Sequence, residues 1–179
     1  MLANKIRTYL SELHLAITET DWRNMDELSN VLFRVRLTDN TLFVCGNGGS
    51  FAVAMHWGVD LPKVCNINVV TLGMNPSLLT ALSNDDDYSQ ALATELLIRA
   101  RPGDALVALS VSGGSSNIRA VLNAAERLNM ERFLLTGKYD PKKVTYPGTL
   151  HVRVASEDYG VVEDVFSAIG HGLTRKLKA

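Results

Sequence analysis

Cysteine is scarce: only Cys45 and Cys65 occur in 179 residues. Both stand beside apolar runs and neither belongs to a CxxC pair, which excludes a disulfide framework and a cysteine-built metal cluster. Long apolar runs are missing as well. None approaches the roughly 18 residues that a membrane span requires, and no signal-peptide pattern opens the chain. Charge of one sign is also lacking, with 18 Lys and Arg against 19 Asp and Glu and a formal net charge of −1. No block of like charge is long enough to make a nucleic-acid or anionic-membrane surface. These absences leave a reduced, cytoplasmic protein with a small-molecule partner, no nucleic acid and no membrane. The length fits a single domain spanning 1–179 with a sizeable core.

What the sequence does have is a repeated local architecture. From Asp104 to Asn117 (DALVALSVSGGSSN), the apolar run Ala105 to Leu109 stops in a loop of serines and glycines, and a helical pattern starts at Ile118. A helix N-terminus carries unpaired N–H groups and partial positive charge. Glycines that let the backbone come close, with hydroxyls as extra donors, therefore make a cradle for phosphate. Ser110, Ser112, Ser115 and Ser116 supply the hydroxyls, and Gly113 and Gly114 the close approach. An ordinary αβ turn with Ser115 as N-cap is the plain alternative. The upstream run Thr41 to Cys45 (TLFVC) enters a second such loop, Gly46-Asn47-Gly48-Gly49-Ser50, followed by a helix expected to reach Leu61 and close at Pro62. Neither loop is a dinucleotide fingerprint, which would need Gly where Phe51 stands. A P-loop fails too, because Gly137-Lys138 is followed by Tyr139.

The remaining pattern alternates. Residues 1–40 read as two helices, the first with a stripe of Leu2, Ile6, Leu10, Leu13 and Ile17. The second is capped by Asp21, begins its apolar face at Trp22 and ends at Thr38-Asp39-Asn40. Both stripes serve either core packing or a partner subunit. Residues 41–179 read as an α/β core. Strands are expected at Ile67 to Leu72, Arg132 to Leu135 and Leu150 to Val154. Helices are expected after Asn75-Pro76, over Tyr88 to Ala100 behind an acidic cap at Asp85-Asp86-Asp87, over Ile118 to Leu128 and over Asp158 to Lys178, with a loop carrying Lys138, Pro141 and Pro147. Strands alternating with helices predict a three-layer αβα sandwich on a parallel sheet, with ligands outside the carboxyl ends of the strands, where both Ser/Gly loops lie.

Two further features stand out. His56 and Asp60 are four apart on a predicted helix and share a face, a spacing that suits a metal or a proton path, or simply a surface ion pair. His171 lies between Gly170 and Gly172 in a helical pattern, where each glycine costs about 1 kcal/mol relative to alanine. Something approaches the backbone there, either a packed helix or a ligand. Glu163 and His171 are about 12 Å apart along an ideal helix, so one metal takes both only between their side chains or with ligands from two subunits.

Cys45 to Asp60 (CGNGGSFAVAMHWGVD), Ser110 to Asn117 (SVSGGSSN), Leu135 to Lys138 (LTGK) and the last helix with His171 resemble the sugar isomerase (SIS) domain family in its phosphoheptose isomerase branch, over nearly the whole chain. The resemblance implies a flavodoxin-like fold with a five-stranded parallel sheet and a homotetramer with active sites where subunits meet. It also implies interconversion of sedoheptulose 7-phosphate and a heptose 7-phosphate through an enediol(ate), for bacterial surface polysaccharides such as lipopolysaccharide. By the same resemblance Ser110, Ser112 and Ser115 contact phosphate, and Asn47, Ser50, Asn84 and Asp85 contact sugar. His56, Asp60, Glu163 and His171 are the zinc positions, with Asp60, Glu163 and His171 catalytic. The sequence departs from the family in having Asp60 for Glu, Glu163 for Gln and Val111 for Thr. A non-catalytic SIS module that binds a sugar phosphate or a partner protein is the alternative that Asp60 favours.

Overall fold

The computed structural model describes residues 1–138 and 146–178. Two helices, α1 (Leu2–Glu19) and α2 (Met25–Leu37), precede β1 (Thr41–Gly46), α3 (Gly48–Cys65), β2 (Asn68–Thr71), α4 (Pro76–Asp85), α5 (Tyr88–Arg99), β3 (Ala105–Leu109), α6 (Ser116–Arg127), β4 (Glu131–Thr136), β5 (Leu150–Arg153) and α7 (Tyr159–Leu177). The five strands form one parallel sheet in the order β2-β1-β3-β4-β5. That is the flavodoxin-like order, as the resemblance implied.

Alternation along the central strands separates two cores. Leu42, Val44, Val107, Leu109, Phe133 and Leu135 face α2, α3 and α7, while Phe43, Cys45, Leu106, Ala108 and Leu134 face α5 and α6. Each central strand is buried on both sides, so it reads as a continuous apolar run rather than an alternating one. α3 leaves β1 for one face and α6 leaves β3 for the other. The crevice between the ends of β1 and β3 is therefore the topological switch point of the sheet, and both Ser/Gly loops open onto it.

Several boundaries differ from expectation for identifiable reasons. α2 starts at Met25 rather than Trp22, because Asp21 is engaged instead with the backbone and guanidinium of Arg23. Pro62 does not close α3. The fully buried Leu61 and Cys65 on either side of it hold the last turn against the core, and the helix ends at left-handed Asn66 (φ 53°), whose N–H donates to the Pro62 carbonyl. α6 starts at Ser116, two residues before the expected Ile118. The starts of α4 and α5 are as read, with Asn75 and Asp87 accepting first-turn N–H groups. On α1 the inward face is Tyr9, Leu13 and Ala16, whereas Leu2, Ile6 and Leu10 of the expected stripe are exposed. Pro141 lies outside the described residues, Lys138 is exposed, and both cysteines are free and buried. Among the described residues no helix is long and apolar enough to cross a membrane.

Candidate active site

A cavity of about 260 Å³ at the switch point is lined by Asn47, Gly48, Gly49 and Ser50 from the first loop, by Ser110, Ser112 and Ser115 from the second, and by Tyr159 and Glu163 of α7. The N-termini of α3 and α6 both end on it, so two sets of free N–H groups and two positive dipole ends converge. The first loop is tight: a Cβ at Gly46 would lie 2.7 Å from the Ser50 carbonyl carbon. In the second loop Gly113 turns the chain at φ 66°, and Tyr146 fixes that turn by donating to the Gly113 carbonyl at 2.7 Å.

The serine hydroxyls are placed as donors. Ser110 Oγ accepts from Gly113 N–H at 3.2 Å and Ser112 Oγ from Gly114 N–H at 3.3 Å, and among the described residues neither hydroxyl hydrogen has an acceptor, so both can serve a ligand. Ser115 is the N-cap of α6 by position, yet its side chain makes no capping bond. Ser50 is engaged differently, donating to Glu163 Oε1 at 3.0 Å. Glu163 presses on the loop so closely that a Cβ at Gly49 would lie 2.6 Å from its carboxyl carbon. A carboxylate thus borders an otherwise neutral, donor-rich cradle.

Further along the same two helices His56, Asp60 and His171 come together. Asp60 Oδ2 lies 3.2 Å from His56 Nε2 and 3.6 Å from His171 Nδ1, and the two rings meet edge-on with centroids 5.1 Å apart. One ligand atom from each residue lies within 4.8 Å of the others. Two imidazoles and a carboxylate, mutually close and open to solvent, make a donor set that fits zinc or a similar divalent cation. His171 is about half exposed. The glycines beside it have separate explanations. A Cβ at Gly170 would strike the indole of Trp57, whereas Gly172 has open space around it.

Three of the four expected metal positions are therefore gathered, and Glu163 stands apart on the Ser/Gly cavity beside Ser50. Asn84 and Asp85 bond to each other at 3.2 Å on the exposed end of α4, outside the cavity lining. Sequence reasoning missed Tyr159 on the cavity wall, and missed Tyr88 and Asn117, which both hold Asn47. Asn117 closes the SVSGGSSN motif, which was the available signal; Tyr88 and Tyr159 had none. Behind the cradle, Tyr9 of α1 donates to Asp164 at 2.7 Å, and burial, that bond and nearby carboxylates push its hydroxyl well above the usual tyrosine range. This contact fastens α1 to α7 beside Glu163.

Comparison with known proteins gives a consistent picture. The SIS domain family matches residues 7–137. A phosphoheptose isomerase of Shewanella loihica is 29% identical over 157 residues, 84% of this chain and 80% of its own. Another, from Shewanella sp. strain W3-18-1, is 31% identical over 144 residues, 76% of this chain and 73% of its own. Among solved structures, a phosphoheptose isomerase from Neisseria gonorrhoeae superposes with a TM-score of 0.89 at 23% identity, covering 99% of this chain and all of that one.

Proposed function

The chain belongs to the SIS domain family, and on that premise we propose that it is a phosphosugar isomerase interconverting sedoheptulose 7-phosphate and a heptose 7-phosphate. The observation that carries this reading is the pairing of a donor-rich cradle at two helix N-termini with a His–Asp–His group further along α3 and α7. Ser50 and His56 are six residues apart, about 9 Å along a helix, and Glu163 and His171 about 12 Å. A ligand with phosphate in the cradle meets the histidines only if a long carbon chain separates phosphate from carbonyl, which suits a seven-carbon sugar.

The chemistry needs a base to remove a proton beside the carbonyl and a second group to move protons between the two oxygens of the enediol(ate). In our reading the Asp60 carboxylate, beside the two histidines, takes the carbon-bound proton and returns it to the neighbouring carbon. His171, oriented by its contact with Asp60, shuttles the oxygen-bound proton. Ser110, Ser112 and Ser115 hold the phosphate, while Asn47, Ser50, Asn84 and Asp85 address the sugar. Zinc, held by His56, Asp60 and His171 with Glu163 as the further family position, would supply positive charge opposite the enediolate oxygens.

We read the chain as a single SIS unit acting in the cytoplasm in bacterial surface-polysaccharide synthesis, and as a homotetramer with sites where subunits meet. The exposed apolar face of α1, with Leu2, Ile6 and Leu10, supports the oligomer. The deciding experiment is an isomerase assay on sedoheptulose 7-phosphate with and without added zinc. Turnover supports the reading, and binding of the phosphosugar without turnover under both conditions replaces it with a non-catalytic sugar-phosphate module.

A further inference from the structure

Among the described residues, Asn47 is the one cavity residue whose side chain is gripped from two other elements. Its Oδ1 lies 2.7 Å from Asn117 Nδ2 and 2.9 Å from the Tyr88 hydroxyl, and its Nδ2 lies 2.9 Å from Asn117 Oδ1. Oxygen and nitrogen of an amide are alike in shape, so the orientation of such a pair must come from the network around it. Here one bond fixes it. The backbone N–H of Ile118, which can only donate, meets Asn117 at 3.0 Å, so the Asn117 atom there is oxygen. Its nitrogen then faces Asn47, whose facing atom must be oxygen, and the Tyr88 hydroxyl donates to that same oxygen. Both lone pairs of Asn47 Oδ1 are consumed by protein donors, and one hydrogen of Nδ2 goes back to Asn117.

From this geometry we infer that Tyr88 and Asn117 are positioning residues that lock Asn47 as a hydrogen-bond donor toward an oxygen of the phosphosugar. The inference rests on the isomerase reading for the identity of the ligand. Among the described residues the second Nδ2 hydrogen has no protein acceptor, and Asn47 lines the cavity into which Ser110, Ser112 and Ser115 also face. Asn117 is buried (2% exposed), so its own orientation is not renegotiated with water. Tyr88, at the start of α5, sits three residues after Asp85. It thereby ties the corner that carries Asn84 and Asp85 to the loop after β1.

The test is a double-mutant cycle on the full chain. Tyr88→Phe keeps the ring and removes only the hydroxyl, and it is expected to raise KM for sedoheptulose 7-phosphate about three- to tenfold with kcat little changed, the pattern of lost uniform binding. In an Asn47→Ala background the same change is expected to be silent, because its route to the ligand is gone. Asn47→Asp, which offers an acceptor where a donor is required, is expected to bind worse than Asn47→Ala. A Tyr88→Phe effect that persists without Asn47, no KM effect at all, or an Asn47→Asp variant as good as Asn47→Ala overturns the inference. If the parent itself fails to turn over sedoheptulose 7-phosphate, the isomerase reading falls and the side-chain amide signals of Asn47 in nitrogen-15 NMR decide the network. A shift on Tyr88→Phe sustains the lock, and unchanged signals refute it.

Discussion

The two glycines that flank His171 offer a matched pair of substitutions with opposite expected signs. At Gly170 a new Cβ would fall 2.6 Å from Trp57 Cδ1 and 2.9 Å from Cε2. Trp57 is 1% exposed and donates from Nε1 to the Phe166 carbonyl at 3.2 Å, so the indole has nowhere to retreat without breaking a buried bond. Overpacking costs about 1–3 kcal/mol, and leaving the buried pair unsatisfied about 1–3 kcal/mol more. Helix propensity returns about 1 kcal/mol. Gly170→Ala should therefore destabilise by about 3 kcal/mol, a fall in melting temperature of about 6–12 °C for a chain of this size. At Gly172 a Cβ meets nothing within 4 Å, so only the propensity gain applies and Gly172→Ala should be more stable by about 1 kcal/mol. Thermal and urea unfolding of both variants beside the parent measures the contrast. Because Gly170 sets the spacing of α7 on α3, bound zinc should fall in Gly170→Ala and not in Gly172→Ala. A Gly170→Ala protein as stable as the parent, or two variants shifting together, would refute the packing argument.

Removing one cradle hydroxyl, as in Ser112→Ala or Ser115→Ala, should weaken phosphosugar binding by about 0.5–3 kcal/mol, read by calorimetric titration, and parent-like affinity would take the phosphate role away from that serine. Asp60→Asn should lower both isomerase rate and zinc content, whereas Glu163→Gln, away from the three gathered ligands, should leave zinc content near the parent's. A Glu163→Gln protein that loses zinc would put Glu163 among the ligands. Sedimentation of the purified protein at micromolar concentration should give a tetramer, and a monomer there would exclude any site shared between subunits.

The architecture was legible because each level of the sequence agrees with the next. Apolar runs at Thr41 and Ala105 are buried on both faces, caps at Asn75 and Asp87 form as read, and the two Ser/Gly loops fall at the one crevice where helices leave the sheet in opposite directions. Local rules failed where packing overrode them. Pro62 reads as a stop, yet Leu61 and Cys65 carry α3 past it, and the apolar stripe of α1 faces mostly outward because Tyr9, Leu13 and Ala16 take the contact with the core. Side-chain partnerships across the chain were harder to read. Nothing in the spacing of residues 47, 88 and 117 announces that three elements meet on one amide.

The same limit explains Glu163. Its spacing from His171 left open a metal held between the two, while the structure sets its carboxylate against Ser50 and Gly49 at the Ser/Gly cavity. A carboxylate there takes up the Ser50 hydroxyl and places negative charge beside the oxygens a phosphate would occupy, which disfavours the anion unless positive charge elsewhere in the site offsets it. His56 and Asp60 lie further along α3 and His171 further along α7, and a cation bound by the three supplies such positive charge. Cation and phosphosugar should therefore bind with positive coupling in this chain, and the coupling should shrink in Glu163→Gln, where the amide no longer repels phosphate.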